Sequence, residues 1–143
     1  MSRLLVVDDE PSICWALSRL GRSLGHEVVT ASSAEQALEL VSRQPPDAVV
    51  LDVRLPGMDG LTAMTQLRQR CGDPPIIVIT AYGDLNTAVE AVRQGAFEYL
   101  IKPFDLQTAE RAVRRAMARG VQAPPGVRAE NVAGLVGRSS VMQ

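Results

Sequence analysis

The sequence has few aromatic residues: one Trp, two Tyr and two Phe among 143 residues. Aliphatic side chains and alanine must therefore fill its core. Cysteine is scarce too. Cys14 and Cys71 lie far apart without metal-site spacing, so two reduced thiols in or near the core are expected. Neither sign of charge is in excess: 15 basic residues stand against 16 acidic ones, for a formal net charge of −1. That balance provides no basic field, and no charge run marks a solvated tail, so direct nucleic-acid binding by this chain is not expected. No apolar run is long enough to span a bilayer, and Met1-Ser2-Arg3 opens no signal-peptide pattern. The expectation is a cytoplasmic protein with no membrane partner. Low-complexity tracts are missing as well.

What is present is a repeated alternation of short apolar runs and helix-period segments. Leu4 to Val7 reads as a buried strand closing in Asp8-Asp9-Glu10. Pro11 suits the first turn of a helix whose inner stripe is Ile13, Ala16, Leu17, Leu20 and Leu24, with Trp15 off that stripe and Gly25 at its end. Glu27 to Ala31 is a second strand. Ser32 with Glu35 reads as a capping box for a helix facing inward through Ala34, Ala37, Leu38 and Val41. Ala48 to Leu51 is a third strand, buried on both faces as in a parallel sheet, and it stops at Asp52. Pro56, Gly57 and Gly60 force a loop before a helix carried by Leu61, Met64 and Leu67.

Ile76 to Ile79 is a fourth strand, ending in Thr80-Ala81. Ala88, Val89 and Val92 give a shorter, weaker helix that ends at Gly95. Glu98 to Ile101 is a brief fifth strand before Lys102-Pro103. Asp105 caps a last helix whose inner face is Leu106, Ala109, Val113, Ala116 and Met117. A βα unit repeated five times predicts a five-stranded, doubly wound parallel α/β sheet with right-handed crossovers. Composition shifts near Gly120. Residues 1–120 read as one domain, 121–134 as a Pro-Pro-Gly linker, and 135–143 as too short to bury anything alone.

Several polar residues share one address. Asp8 and Asp9 end the first strand, Asp52 the third, Thr80 the fourth and Lys102 the fifth. In a doubly wound sheet these ends lie along one edge, where ligands bind. Two carboxylates about 4 Å apart repel by roughly 4 kcal/mol at an effective dielectric near 20. Lys102 supplies one counter-charge, and an oxygen-seeking divalent cation such as Mg2+ would supply the rest. The parts suit phosphoryl transfer, with Asp52 as the attacking nucleophile, Asp8, Asp9 and Asp52 around the metal, and Lys102 and Thr80 on the phosphoryl oxygens. Glu10, Asp59 and Asp84 read as cap or loop acids. His26, in a turn away from the acidic edge, reads as a lone surface histidine.

In order and spacing, Asp8-Asp9, Asp52, Thr80 and Lys102-Pro103 resemble the receiver domains of two-component response regulators, which have a flavodoxin-like, CheY-like fold. The likeness covers about Arg3 to Arg119. It implies a phosphohistidine on a partner sensor kinase as donor, and the backbone carbonyl of Arg54 as a further magnesium ligand. It also implies a cis bond before Pro103, and Tyr99 as a switch aromatic that turns inward when Thr80 moves. A narrower likeness is to NtrC-type activators of sigma-54 RNA polymerase. It is carried by Asp84-Leu85-Asn86-Thr87-Ala88-Val89 and by the run Gln94 to Asp105. Leu135 to Gln143 is similar to the opening of that branch's AAA+ ATPase domain, so the chain reads as a receiver and linker from a longer protein. It carries no GxxxxGK[ST] loop and no DNA-reading module. The resemblance also favours a homodimer.

Two rival readings make different demands. A haloacid-dehalogenase-like phosphatase would need a second Asp two residues after the nucleophile, where this chain has Arg54. A phosphorylation-independent interaction module would be expected to lack some of the acids or Lys102. The expectation is a stoichiometric phosphoacceptor rather than a turnover enzyme. The helix starting near Asn86, short and flanked by polar turns, is expected to move most on phosphorylation.

Overall fold

The computed structural model describes residues 2–122 except 56, 59 and 82; the side chains of residues 121 and 122 are likewise outside the description. The expected linker beyond Gln122 and the segment 135–143 therefore lie outside the described residues, as do Pro56, Asp59 and Tyr82. The strands are β1 (Arg3–Val7), β2 (Glu27–Ala31), β3 (Ala48–Asp52), β4 (Ile76–Ala81) and β5 (Glu98–Lys102). The helices are α1 (Pro11–Ser23), α2 (Ala34–Arg43), α3 (Gly60–Cys71), α4 (Leu85–Arg93) and α5 (Leu106–Gln122). All strand pairs are parallel, in the order β2-β1-β3-β4-β5, so the chain forms the expected doubly wound sheet.

Strand alternation divides the interior into two layers. Leu5, Val7, Val49, Leu51, Ile76 and Val78 pack beneath α2, α3 and α4. Leu4, Val6, Val50, Ile77, Ile79 and Leu100 pack beneath α1 and α5, where Ala109, Ala112, Val113 and Ala116 bring α5 close. Alanine thus takes the place of bulky aromatics in the α5 interface. Neither cysteine forms a disulfide and both are half-buried: the Cys14 thiol donates to Asp8 O (3.2 Å) and the Cys71 thiol to Leu67 O (2.8 Å). Burial pushes the Cys14 thiol above its ordinary value. Trp15 is exposed, with the Arg19 guanidinium 5.0 Å from its ring centroid. Among the described residues no helix is long and apolar enough to cross a membrane.

Four local features differ from the sequence pattern or go beyond it. The cap of α2 is shifted by one residue: Ser33 Oγ accepts from Gln36 N (3.1 Å), and Gln36 Oε1 accepts from Ser32 N (2.8 Å). Both Ser32-Glu35 and Ser33-Gln36 satisfy the capping pattern; the second is used, and Ala34, Ala37, Leu38 and Val41 are buried as expected. In α4 the buried residues are Ala88 and Ala91, while Val89 and Val92 are 46% and 42% exposed. With Leu85 they form an outer apolar stripe at the same helical period, and the sheet accepts the stripe with the smaller side chains. Leu106, at the first position of α5, lies before the helix reaches the sheet and is exposed. Finally, α5 runs through Gly120 to Gln122. The Asp105 cap is as expected, its Oδ1 accepting from Thr108 N (2.7 Å).

Gly60 fixes how α3 leaves the loop after Asp52. A Cβ on Gly60 would lie 2.3 Å from Val53 Cα and 2.6 Å from Val53 O, against backbone that cannot rotate away. Gly60→Ala is expected to destabilise the fold by about 2–3 kcal/mol, the cost of overpacking at a rigid contact. Urea denaturation checks this; a loss no larger than that of an exposed Gly→Ala control would contradict it.

Candidate functional site

The polar residues at the strand ends meet because the register aligns them. Val7 of β1 pairs with Leu51, Asp52 of β3 with Ile79, and Ala81 of β4 with Lys102. The apolar runs therefore stop within about two residues of one level of the sheet, and the next polar residue of each lies at the carboxyl edge. Asp8, Asp52 and Thr80 are 1%, 4% and 0% exposed, a depth at which charged and hydroxyl groups need partners. Lys102 Nζ lies 3.3 Å from Asp8 Oδ2 and 3.3 Å from Asp52 Oδ2, and also bonds Glu10 Oε1. One ammonium group thus gathers three carboxylates.

The electrostatics follow from that crowding. Burial pushes the Asp8 carboxyl up to about 6, and the Asp52 charge adds to this against the hydrogen bond from Glu10 N and the Lys102 ammonium. For Lys102, burial opposes the charge. The hydrogen bond with Glu10 and the charges of Asp52 and Asp8 outweigh it and hold the ammonium above its ordinary value. Asp52 Oδ1 accepts from Arg54 N (2.9 Å). Thr80 Oγ1 is buried yet has no hydrogen-bond partner among the described residues, and the equally buried Asp8 Oδ2 has only its ion pair with Lys102. A buried polar atom without a partner costs about 1–3 kcal/mol, so such atoms commonly await a ligand.

Oxygens of Asp8, Glu10 and Asp52 lie within 4.8 Å of one another and could hold a cation. Converging carboxylate oxygens, two of the three groups buried, make an all-oxygen donor set that fits a hard divalent ion such as Mg2+.

The structure brings together Asp8, Asp52 and Lys102, and the register places Thr80 on the neighbouring strand at the same edge. Asp9 is exposed and stands outside the carboxylate group that surrounds Lys102. Glu10, expected as a cap or loop acid, occupies the N-cap position of α1 but makes no side-chain cap bond; its carboxylate joins the pocket instead. The acidic run Asp8-Asp9-Glu10 was a signal for the pocket but not for which of its members would turn inward. Asp84 likewise holds the N-cap position of α4 without capping it, and its carboxylate pairs with the Arg54 guanidinium. Tyr99 is exposed on β5, on the side opposite Leu100 and so on the α4 side of the sheet. The Lys102–Pro103 bond is cis. His26, half-buried in the turn before β2, lies with Nδ1 2.5 Å from Ser2 Oγ.

The chain is 43% identical over 113 residues to the DNA-binding transcriptional regulator NtrC of Escherichia coli K12, covering 79% of this chain and 24% of that protein. It is 40% identical over 143 residues to the transcriptional regulatory protein ZraR of the same strain, covering 98% of this chain and 32% of that protein. The chain thus spans about a quarter to a third of the curated relatives it matches. A solved response regulator receiver domain protein from Clostridium thermocellum superposes with a TM-score of 0.76 at 32% identity, covering 83% of this chain and 96% of that one. Residues 4–114 match the family described as the response regulator receiver domain, and with its parallel sheet and acidic edge the chain belongs to that family.

Proposed function

We propose that this chain is the phosphoacceptor unit of an NtrC-type response regulator, with Asp52 taking a phosphoryl group from a phosphohistidine of a sensor kinase. One observation carries the reading: a nearly buried Asp52 lies beside a lysine ammonium and two further carboxylates, with a buried threonine on the neighbouring strand at the same sheet edge. In the transfer an Asp52 carboxylate oxygen attacks phosphorus in line. The O–P bond forms as the N–P bond breaks, and the bonding pair returns to the histidine ring nitrogen. Asp8, Asp52 and Glu10, with Asp9 and the Arg54 carbonyl implied by the family, would hold Mg2+, which neutralises charge on the phosphoryl oxygens when bound. Lys102 donates to a phosphoryl oxygen from its place between Asp8 and Asp52. Thr80 turns its hydroxyl to another, leaving room for Tyr99 to move inward.

The transfer is stoichiometric: Arg54 stands where a phosphatase would carry a second acid, so only slow loss of the phosphoryl group is expected. In the cell the chain would act in the cytoplasm as part of a homodimer, passing its state to an AAA+ domain that works with sigma-54 polymerase. Similarity to NtrC and ZraR supports this output. Incubation with acetyl phosphate and Mg2+ followed by intact mass spectrometry tests the acceptor. Wild type should gain one phosphoryl group and Asp52→Asn none. An adduct of equal yield in Asp52→Asn would refute the assignment.

A further inference from the structure

Helix α4 has little holding it to the sheet. It buries only two alanines, Ala88 and Ala91, and turns Leu85, Val89 and Val92 outward. Its two ends are instead tied by arginines from other elements. At the carboxyl end, Arg68 of α3 donates from Nη1 to Gln94 O (2.7 Å) and also pairs with Asp73. At the amino end, Arg54 donates from Nη2 to Asp84 Oδ1 (2.8 Å), and its Nε lies 2.5 Å from Asp84 Oδ2. The Asp84 carboxylate makes no cap bond to its own helix, so its side-chain tie here is to Arg54.

The two arginines differ in position. Arg68 is remote from the acidic pocket. Arg54 follows β3 directly, and its backbone N–H already bonds Asp52 Oδ1 at 2.9 Å. The Asp52 charge also acts on the Arg54 guanidinium, which is held above its ordinary value first by Asp84 and in smaller part by Asp52. Lys102 is already committed to three carboxylates. A phosphoryl group on Asp52 brings three acceptor oxygens and up to about two negative charges, beside an arginine whose present partner is a single carboxylate.

We propose that the Arg54–Asp84 pair is a latch on the amino end of α4, opened when Arg54 turns from Asp84 to a phosphoryl group on Asp52. The inference rests on the phosphoacceptor reading of Asp52. Arg54 acts here as a positioning residue: it converts new charge at the end of β3 into release of one end of α4, while Arg68 keeps the other end in place. The helix then pivots, carrying the Leu85-Val89-Val92 stripe with it.

Amide hydrogen exchange of residues 88–93, read with intact mass on the same samples, tests the latch in the full 143-residue chain. Without phosphoryl donor, Asp84→Ala should speed exchange roughly two- to five-fold, the range for losing one exposed ion pair. Arg54→Ala should do the same, and the double variant no more than either alone. Additive effects, or no effect of Asp84→Ala, would overturn the latch. With acetyl phosphate and Mg2+, wild type should accelerate by a similar factor, and phosphorylated Asp84→Ala should accelerate little further. If both take up the phosphoryl group and accelerate equally, the latch fails while the acceptor reading stands. If wild type takes up none, both fail.

Discussion

Replacing Lys102 with methionine is expected to cost about 2–3 kcal/mol of stability at pH 7, somewhat below the usual penalty for breaking a buried ion pair because the lysine is partly exposed. Methionine keeps the length and apolar stem of the side chain, so the loss measures the charge. The ammonium stands 3.3 Å from both Asp8 and Asp52 and is bonded to Glu10, and Asp8 and Asp52 are almost completely buried. Without it, three carboxylates face one another with no cation between them. The relief available to them is protonation. The deficit should therefore be largest at neutral pH and shrink toward pH 5, where the Asp8 carboxyl, already raised to about 6 in wild type, takes up a proton. Urea denaturation at the two pH values measures this, and an equal deficit at both would contradict it. Labelling by acetyl phosphate should fall on the order of 100-fold, the usual cost of removing a charged donor from a developing oxyanion.

Magnesium should invert the pH dependence of stability. The ordinary carboxyl value of 3.8 is raised to about 6 for Asp8 in the folded chain. Between those values the folded state binds more protons than the unfolded state. The stability contributed by protonated Asp8 is thus complete below about pH 4 and is lost as pH rises through about 6, a decline on the order of 1–2 kcal/mol after allowance for solvent screening. A divalent cation competes with that proton and binds the deprotonated carboxylates, so its stabilisation grows over the same interval. At about 100 times its dissociation constant it contributes roughly 2.7 kcal/mol. Thermal melts with and without Mg2+ at pH 5 and pH 7.5 should therefore separate only at the higher value, and chelation should reverse the gain. In Asp8→Asn the metal-free chain should melt higher than wild type at pH 7.5, with most of the magnesium response gone. A magnesium shift of equal size at both pH values would show that these carboxylates are not its ligands.

The two experiments probe one balance from opposite sides. Lys102 and a bound cation are alternative ways of offsetting the same negative charge, and the phosphoryl group is a third participant that needs both. A pocket of this kind is stable without its ligands only because Lys102 is positioned before anything binds. The buried Thr80 hydroxyl, with no hydrogen-bond partner among the described residues, belongs to the same preorganised edge.

The sequence by itself determined the layers of the sheet and most of the site. Val6-Val7, Val50-Leu51, Ile79 and Ile101 are each followed within a residue or two by a polar group, and parallel pairing turns those breaks into a single edge. Asp8, Asp52, Thr80 and Lys102 were legible for that reason. Only the tertiary structure decided what local pattern leaves degenerate. Helical period marks both Ala88-Ala91 and Leu85-Val89-Val92 as faces of α4, but the space above the sheet selects the alanines. At the end of β1 the sequence offers three consecutive acids; the path of the chain into α1 brings Asp8 and Glu10 to Lys102 and leaves Asp9 exposed. Arg54 and Asp84 lie thirty residues apart with no pattern joining them. Their pairing arises from packing β3 beside β4, because an ion pair depends on distance in space and leaves no periodic trace along the chain.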